Sequence, residues 1–166
     1  MLLCILAAAT IIGFSINVFR KHPLPLVYRD KETRMQDSVR RIKEAADNSL
    51  PQSASEQVSL AELARYVEEK KIVILDARPD VFYRLGHVPG ALRLPRDDFE
   101  NGYLVLKERL ESDLAQLIVV YCSDASCADA SLVKKGLNSL GYSNVAIFTG
   151  GWREWTQSEK ATEGGE

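Results

Sequence analysis

Residues 117–128 read LIVVYCSDASCA, and this stretch says the most about the fold. Its first five residues, Leu117–Tyr121, have the length and apolar composition of a buried strand. Helical spacing begins near Ala128, so Cys122 stands where a strand ends and a short loop curls into a helix. Unpaired loop amides and the helix dipole favour negative charge there, including a thiolate or a persulfide. We therefore expect Cys122 to be a stabilised thiolate that acts as a nucleophile.

The segments around this stretch alternate between short strands and helices. Ser59 and Glu62 form a capping-box signature that opens a helix to about Glu69. Apolar runs predict strands at 71–75, 91–94 and 145–148, and apolar spacing predicts helices at 103–114 and from about 128 to a C-cap at Gly141. This alternation implies βαβ units and a mainly parallel sheet, with reactive groups beyond the carboxyl ends of the strands.

Four segments, in this order and spacing, resemble the rhodanese-like domain over residues 56–158: Ile74–Arg78, Gly86–Ala91, Val119–Cys122 and Gly150–Trp155. The resemblance implies an α/β rhodanese-like three-layer fold with a mainly parallel central sheet. It also implies that the cysteine at the position of Cys122 takes sulfane sulfur from a donor and becomes a persulfide. A second thiophile, such as a thiol acceptor, then removes that sulfur.

The loop departs from the members of this family that use thiosulfate, which usually carry a basic residue there. Here its four residues are Ser123, Asp124, Ala125 and Ser126. A carboxylate at Asp124 is expected to repel a dianionic donor and to oppose thiolate formation. The charge pattern therefore favours a small-molecule or protein persulfide as the donor, rather than thiosulfate.

Cys127 stands five residues after Cys122 and has three interpretations. It could attack a persulfide on Cys122 and release sulfide, or it could protect Cys122 from overoxidation as a resolving cysteine does. It could also simply be a small residue packed at the helix start. Whether the two sulfurs can bond depends on geometry that a sequence does not give.

The other family positions have structural interpretations. Asp76 and Arg78 are expected to form a supporting pair, and His87 is expected to be a turn residue with satisfied hydrogen bonds. We predict no metal site, because only His22 and His87 could add to the two cysteines and neither has ligand spacing. We predict no cofactor either, because no phosphate-binding glycine loop is present.

Residues 1–19 contain no charged side chain and would span about 28 Å as a helix, close to the thickness of a bilayer core. We predict a single-pass transmembrane anchor, because a signal peptide would have a positively charged start and the first basic residue is Arg20. The basic residues just after the span predict a cytoplasmic-facing domain by the positive-inside rule; they are Arg20, Lys21, Arg29, Lys31 and Arg34.

Residues 20–55 are predicted to be a juxtamembrane helix and linker. Met35, Val39, Ile42 and Ala45 recur at helical spacing and predict a helix over 30–46. This helix could lie on the domain, at the membrane surface or against a partner helix, or it could be a solvated spacer. At the other end of the chain, residues 159–166 are predicted to be a disordered tail.

The bulk composition excludes some classes of function. Charged residues make up 27% of the chain and the net charge is −2, which is neither a disordered composition nor a nucleic-acid footprint. Three hypotheses remain open: a membrane-anchored sulfurtransferase working through a Cys122 persulfide, a thiol redox protein cycling Cys122 and Cys127, and a non-catalytic docking module.

Overall fold

The computed structural model describes residues 30–46 and 57–164. A helix, α1 (Lys31–Ala46), precedes a domain in which short strands and helices alternate. In chain order these are β1 (Gln57–Val58), α2 (Leu60–Glu69), β2 (Val73–Asp76), α3 (Asp80–Leu85), β3 (Leu92–Arg93), a 3-10 turn (Arg96–Asp98), α4 (Phe99–Glu111), β4 (Ile118–Tyr121), α5 (Asp129–Ser139), β5 (Val145–Phe148) and α6 (Gly151–Gln157).

The five strands form one sheet in the order β1-β5-β4-β2-β3, and each of these strand pairs is parallel. Strand β4 is central, and its last residue, Tyr121, lies opposite Asp76 of β2 and Phe148 of β5. The carboxyl ends of the three middle strands therefore share one edge, and Cys122 follows directly from it. The predicted α/β fold with a parallel sheet is confirmed.

Alternate residues of the central strands enter two separate apolar clusters. Val120 of β4 packs in one cluster with side chains of α1, α4 and α5, whereas Val119 packs in the other with Leu63 of α2 and Trp155 of α6. Because successive strand residues point to opposite faces, helices cover both faces of the sheet. The chain thus forms three layers, helices–sheet–helices.

Most predicted elements are present, with shifted ends. The capping box at Ser59 and Glu62 opens α2, and Gly141, with φ 102°, follows the C-cap of α5. The helix predicted over 103–114 instead spans Phe99–Glu111. Four short elements were not predicted: β1, the 3-10 turn, and the helices α3 and α6.

Helix α1 packs on the domain. Its apolar stripe, Met35, Val39 and Ile42, is buried in the cluster that covers one face of the sheet. Gly136 of α5 admits this contact, because a Cβ there would lie 3.3 Å from the terminal methyl of Met35. The predicted helix over 30–46 is confirmed, and of the locations considered for it the structure shows the first, on the domain.

The segment after α6 contacts the domain up to residue 164, which differs from the disordered tail expected from residue 159. Glu163 exchanges backbone hydrogen bonds with His87, at 2.8 and 3.0 Å. The indole Nε1 of Trp155 donates to the carbonyl of Ala161 at 2.9 Å. Two backbone bonds and a buried indole donor hold this segment in place without any apolar signal in its sequence.

The transmembrane span predicted for residues 1–19 lies outside the described residues, as does most of the segment 20–55 apart from α1. Among the helices that the structure does describe, none combines the length and the hydropathy that crossing a bilayer requires.

Candidate active site

The site begins at the end of the central strand. Cys122 follows β4, and residues 123–128 form a loop that leads into α5. A disulfide joins Cys122 to Cys127, with their Cα atoms 6.2 Å apart, inside the usual range for such bonds. Cys122 is buried, with 2% of its surface exposed, while Cys127 is half-buried. The loop therefore brings the two sulfurs into bonding distance, which spacing alone left open.

A cavity of about 520 Å³ opens beside the disulfide. Its volume is that of a small-molecule site. Lys134, one turn along α5 from Ala130, brings a positive charge to a wall that is otherwise mostly neutral. The residues that line this cavity are Gln57, Cys122, Asp124, Ala125, Cys127, Ala130, Ser131, Lys134, Ile147, Phe148 and Thr149.

Asp124 organises the loop. Its carboxylate accepts hydrogen bonds from the backbone amide of Ser126 at 2.9 Å and from the Ser126 hydroxyl at 2.5 Å. It also pairs with the guanidinium of Arg153, on α6, at 2.6 Å. The hydrogen bonds from Ser126, helped by the charge of Arg153, lower the pKa of the Asp124 carboxyl. The repulsion expected from Asp124 is thus offset, because the carboxylate is paired within its own loop and with a cation.

The first turn of α6 holds the start of the loop. The amides of Trp152 and Arg153 donate to the carbonyls of Cys122 and Ser123 at 2.8 and 2.9 Å. Gly151 makes this approach feasible: its φ is +62°, and a Cβ there would lie 2.5 Å from the Cys122 carbonyl oxygen. The sequence predicted that the loop amides would be unpaired. The amide of Cys127 instead donates to the Asp124 carbonyl at 3.1 Å.

A buried ion pair supports the strand that ends at Cys122. Arg78 donates to the Asp76 carboxylate at 2.6 to 3.0 Å, and the Tyr121 hydroxyl donates to it at 2.6 Å. Burial, with the Asp76 charge beside it, raises the pKa of Tyr121. The Arg78 guanidinium also bonds the Gly86 carbonyl at 2.6 Å and lies 4.6 Å from the ring centre of Trp152. The pair thus ties β2, β4 and α6 together beneath the loop.

His87 has the structural environment that the sequence predicts. Its ring stacks on Tyr83 with centroids 3.9 Å apart, and its Nδ1 lies 3.0 Å from the Tyr83 carbonyl oxygen. Its Nε2 lies 3.6 Å from a Glu163 carboxylate oxygen. The ring thus has a hydrogen-bond partner at Nδ1 and a carboxylate near Nε2, which agrees with the expected turn histidine except that the Nε2 contact is longer than a hydrogen bond.

A charge cluster lies beside the disulfide. The Asp129 carboxylate, at the start of α5, accepts from Arg96 Nε at 3.2 Å and from Lys31 Nζ at 3.1 Å. A carboxylate oxygen of Asp129 and the sulfurs of Cys122 and Cys127 all lie within 4.8 Å of one another. By distance these three groups could ligate a metal ion, but the sulfurs are bonded to each other and two cations already occupy the carboxylate.

Sequence reasoning missed the four charged residues that surround the loop: Lys31, Arg96, Asp129 and Arg153. Arg153 belongs to a segment that carries the family resemblance, so its position after the paired glycines could have identified it as a residue near the loop. The other three belong to no motif. In sequence, Arg96 is 33 positions and Lys31 is 98 positions away from Asp129, and only the fold brings the three side chains together.

Comparison with known proteins places these observations in a family. The family model described as the rhodanese-like domain matches residues 59–158. A mouse protein, thiosulfate sulfurtransferase/rhodanese-like domain-containing protein 3, is 27% identical over 124 residues, covering 67% of this chain and 74% of that protein. A tRNA uridine(34) hydroxylase of Erwinia tasmaniensis is 31% identical over 98 residues, covering 58% of this chain and only 27% of the hydroxylase.

Solved structures show the same likeness. The structure of a human single-domain sulfurtransferase superposes with a TM-score of 0.53 at 25% sequence identity. The match covers 64% of this chain and 100% of the human one. The part of this chain that precedes β1, including α1, has no place in the family model, which begins at residue 59.

Proposed function

The chain belongs to the rhodanese-like family, and from this premise we propose that it is a sulfurtransferase in which Cys122 carries sulfane sulfur and Cys127 resolves the persulfide. One observation carries the proposal: the family's active-site cysteine is bonded to a second cysteine of its own loop. A partner sulfur already within bonding distance of Cys122 is what intramolecular resolution requires.

In the first step the Cys122 thiolate attacks the outer sulfur of a persulfide donor, R–S–SH. A bond forms between Cys122 Sγ and that sulfur, the donor's S–S bond breaks, and the electron pair leaves on the donor as RS⁻. The positive charges around the loop favour the thiolate that starts this step and the anionic persulfide that results. An external thiol acceptor could then attack the outer sulfur and restore the Cys122 thiolate.

Without such an acceptor, the Cys127 thiolate attacks Sγ of Cys122. The Cys122–Cys127 bond forms, the persulfide S–S bond breaks, and HS⁻ leaves with the electron pair. The product is the disulfide seen in the structure. A dithiol reductant returns the loop to its reduced form by supplying two electrons and is itself oxidised to a disulfide. It would attack Cys127, the more exposed sulfur, so that Cys122 departs as the stabilised thiolate.

The donor that fits the site best is a small persulfide. The cavity beside the disulfide has a volume of about 520 Å³ and includes Lys134, so it suits a molecule that carries a carboxylate as well as the persulfide sulfur. Because Arg153 neutralises the Asp124 carboxylate, the repulsion of anionic donors that the sequence predicted is reduced. Protein persulfides remain the alternative donor class.

Sulfide release in a single turnover tests the proposal. The reduced chain, freed of reductant, is mixed with an equal amount of cysteine persulfide and the sulfide set free is measured. The wild type should release one sulfide per chain, while Cys127→Ser should release far less and Cys122→Ser none above the background without protein. Equal release from all three would contradict the proposal.

The disulfide also favours a second candidate function, a thiol–disulfide redox protein. In this case the reduced loop would transfer two electrons to a disulfide substrate with no sulfur donor present. Reduction of a small disulfide such as cystine, followed by counting free thiols, separates the two functions. Both Cys122→Ser and Cys127→Ser should be inactive in this assay, whereas sulfur loading needs Cys122 alone.

We also propose that residues 1–19 anchor the chain in a membrane with its domain facing the cytoplasm. The support is the uncharged stretch of 19 residues followed by basic ones. The full chain expressed in a bacterial host should stay with the membrane pellet after alkaline washing, and should be digested by protease only when the cytoplasmic side is exposed. Release by the alkaline wash would contradict the anchor.

A further inference from the structure

The cation that the active-site loop lacks is supplied from outside the loop. No residue between Cys122 and Cys127 is basic. Directly beside the two sulfurs, however, Asp129 holds both Arg96 and Lys31. Two cations and one carboxylate leave one net positive charge in this cluster. Arg96 and Asp129 are nearly buried, each with a side chain 10% exposed, so water screens their charges only weakly.

Lys31 comes from an unexpected element. It is the first residue of α1, which lies outside the matched family region of residues 59–158. Helix α1 is fixed on the domain by its buried stripe and by further ion pairs: Glu32 with Lys135 at 3.0 Å, and Arg41 with Glu100 at 2.6 Å. The first turn of α1 is therefore held beside the start of α5, where its lysine can reach Asp129.

We propose that the cluster of Lys31, Arg96 and Asp129 sets the reactivity of Cys122, and that docking of α1 completes it. Arg96 neutralises the Asp129 carboxylate, and Lys31 adds the net positive charge that stabilises the Cys122 thiolate and persulfide. Lys31 is a positioning residue that acts on Cys122 through Asp129. It makes the reactivity of the site depend on a helix outside the family domain. The identity of the nucleophile comes from the proposed function.

Other charged groups also lie around Cys122. Asp124 and Arg153 neutralise each other at 2.6 Å. Lys134 lines the cavity beside the disulfide, and its charge is the same in every variant compared below. The charged groups near Cys122 include Asp124 of the loop, Asp129 and Lys134 of α5, Arg153 of α6, the Asp76–Arg78 pair at the end of β2, Arg96 of the 3-10 turn and Lys31 of α1.

Alkylation of Cys122 in the reduced full chain tests this inference. The Cys127→Ser background prevents disulfide formation, and iodoacetamide is the probe because it is neutral and reacts with the thiolate. Mass spectrometry of the peptides separates Cys122 from Cys4. At pH 7 and low salt, Lys31→Gln should slow alkylation of Cys122 about two- to fivefold, a modest effect because Lys31 is half exposed to solvent. Lys31→Arg should retain the original rate.

Two matched variants distinguish the effect of the lost charge from the effect of a disturbed structure. Glu32→Gln breaks the neighbouring ion pair between the same two helices and should leave the alkylation rate unchanged. Asp129→Asn should raise the rate, because it removes the negative charge nearest the sulfurs. Loss of structure would also raise it by exposing the buried Cys122, so the circular-dichroism spectrum of each variant is compared with that of the parent chain. Lys31→Gln with a wild-type rate would overturn the inference, and so would a slower rate in both Lys31→Gln and Asp129→Asn. If Asp129→Asn does not fold, the Lys31 and Glu32 variants still decide.

This test is independent of sulfur transfer, because alkylation requires no sulfur donor. A chain that loads sulfur on Cys122 but alkylates at the same rate with or without Lys31 would keep the proposed function and lose the inference. The opposite result, a Lys31-dependent rate without any sulfur loading, would keep the inference and reject the sulfurtransferase.

Discussion

The groups that surround Cys122 come from both neighbouring and distant parts of the sequence. The cysteine itself is marked by its place at the end of a buried strand, but its partner sulfur, its carboxylate neighbour and its cations come from the loop, α5, the 3-10 turn and α1. At this scale the decisive quantities are short distances between charged atoms in places that water reaches poorly.

Gly151 is the residue on which the loop geometry depends most directly. Gly151→Ala should lower the free energy of unfolding by about 2–4 kcal/mol, because an added Cβ meets backbone atoms of residues 122–124 and the left-handed conformation disfavours alanine. Gly90→Ala is the control: its φ is +74° but nothing lies within 4 Å of a Cβ there. Urea unfolding of both variants should show the larger loss at residue 151, and equal losses would contradict the close approach.

The buried pair of Asp76 and Arg78 should be far more sensitive than ion pairs on the surface. Asp76→Ala leaves the Arg78 guanidinium buried without its carboxylate and should cost about 3–5 kcal/mol of folding free energy. Glu69→Gln, which removes an exposed pair with Arg65 at 3.8 Å, should cost about 0–1 kcal/mol. Denaturant midpoints for the two variants test this contrast, and a small effect at Asp76 would mean that the site tolerates an unpaired arginine.

At the residue scale, contacts between neighbours along the chain could be predicted from the sequence, and contacts between distant residues could not. The capping box at Ser59 and the turn glycine at Gly141 involve neighbours along the chain, so their residue types are diagnostic. The partners of Asp124 and Asp129 depend on how the chain folds back. An isolated carboxylate in the sequence therefore suggested repulsion at Asp124, where the structure shows an ion pair with Arg153.

Among the elements, α1 has the most consequence for the site. Met35 is buried at 4% exposure against Gly136 and the apolar cluster, so Met35→Ala should cost about 2–4 kcal/mol. Gln36→Ala, one residue along on the exposed side, should change the unfolding free energy little. Thermal unfolding of the two variants would show whether the helix belongs to the folded domain, and an unaffected Met35→Ala would contradict that.

The accuracy of element prediction followed the strength of the apolar pattern. The central strands β2, β4 and β5 are fully or almost fully buried, and their unbroken apolar runs were recognised. Helix α3 is six residues long and exposes Val81, Phe82 and Leu85, so it shows no amphipathic pattern. Strand β1 has only two residues. Such short elements are defined by pairing with their neighbours, which a sequence pattern does not contain.

For the whole molecule, the three-layer arrangement places Cys122 at the middle of one sheet edge. Parallel register brings the ends of β2, β4 and β5 level, and helices on both faces close the edge around Cys122. The fold class and the position of Cys122 at this edge could be predicted from alternating strands and helices. The part played by α1 could not, because its apolar stripe is equally suited to a membrane surface or a partner.

The redox state of the loop should affect the stability of the whole domain. The disulfide closes a short loop between residues 122 and 127, which should stabilise the oxidised chain by about 2 kcal/mol through the entropy of the unfolded state. Urea unfolding with and without a dithiol should show this difference in the wild type. Cys127→Ser should behave like the reduced wild type under both conditions, and a dithiol effect that persists in this variant would need another explanation.

The most direct test of sulfur transfer through Cys122 is the intact mass of the chain after treatment with a persulfide donor. Wild type, Cys122→Ser and Cys127→Ser are reduced, freed of reductant and treated in parallel. Cys127→Ser should gain one sulfur atom at Cys122 and keep it. The wild type should pass through the same species and end two hydrogens lighter than its reduced form, and Cys122→Ser should gain no sulfur. Sulfur retained by Cys122→Ser, or gained by none of the three, would contradict a persulfide on Cys122.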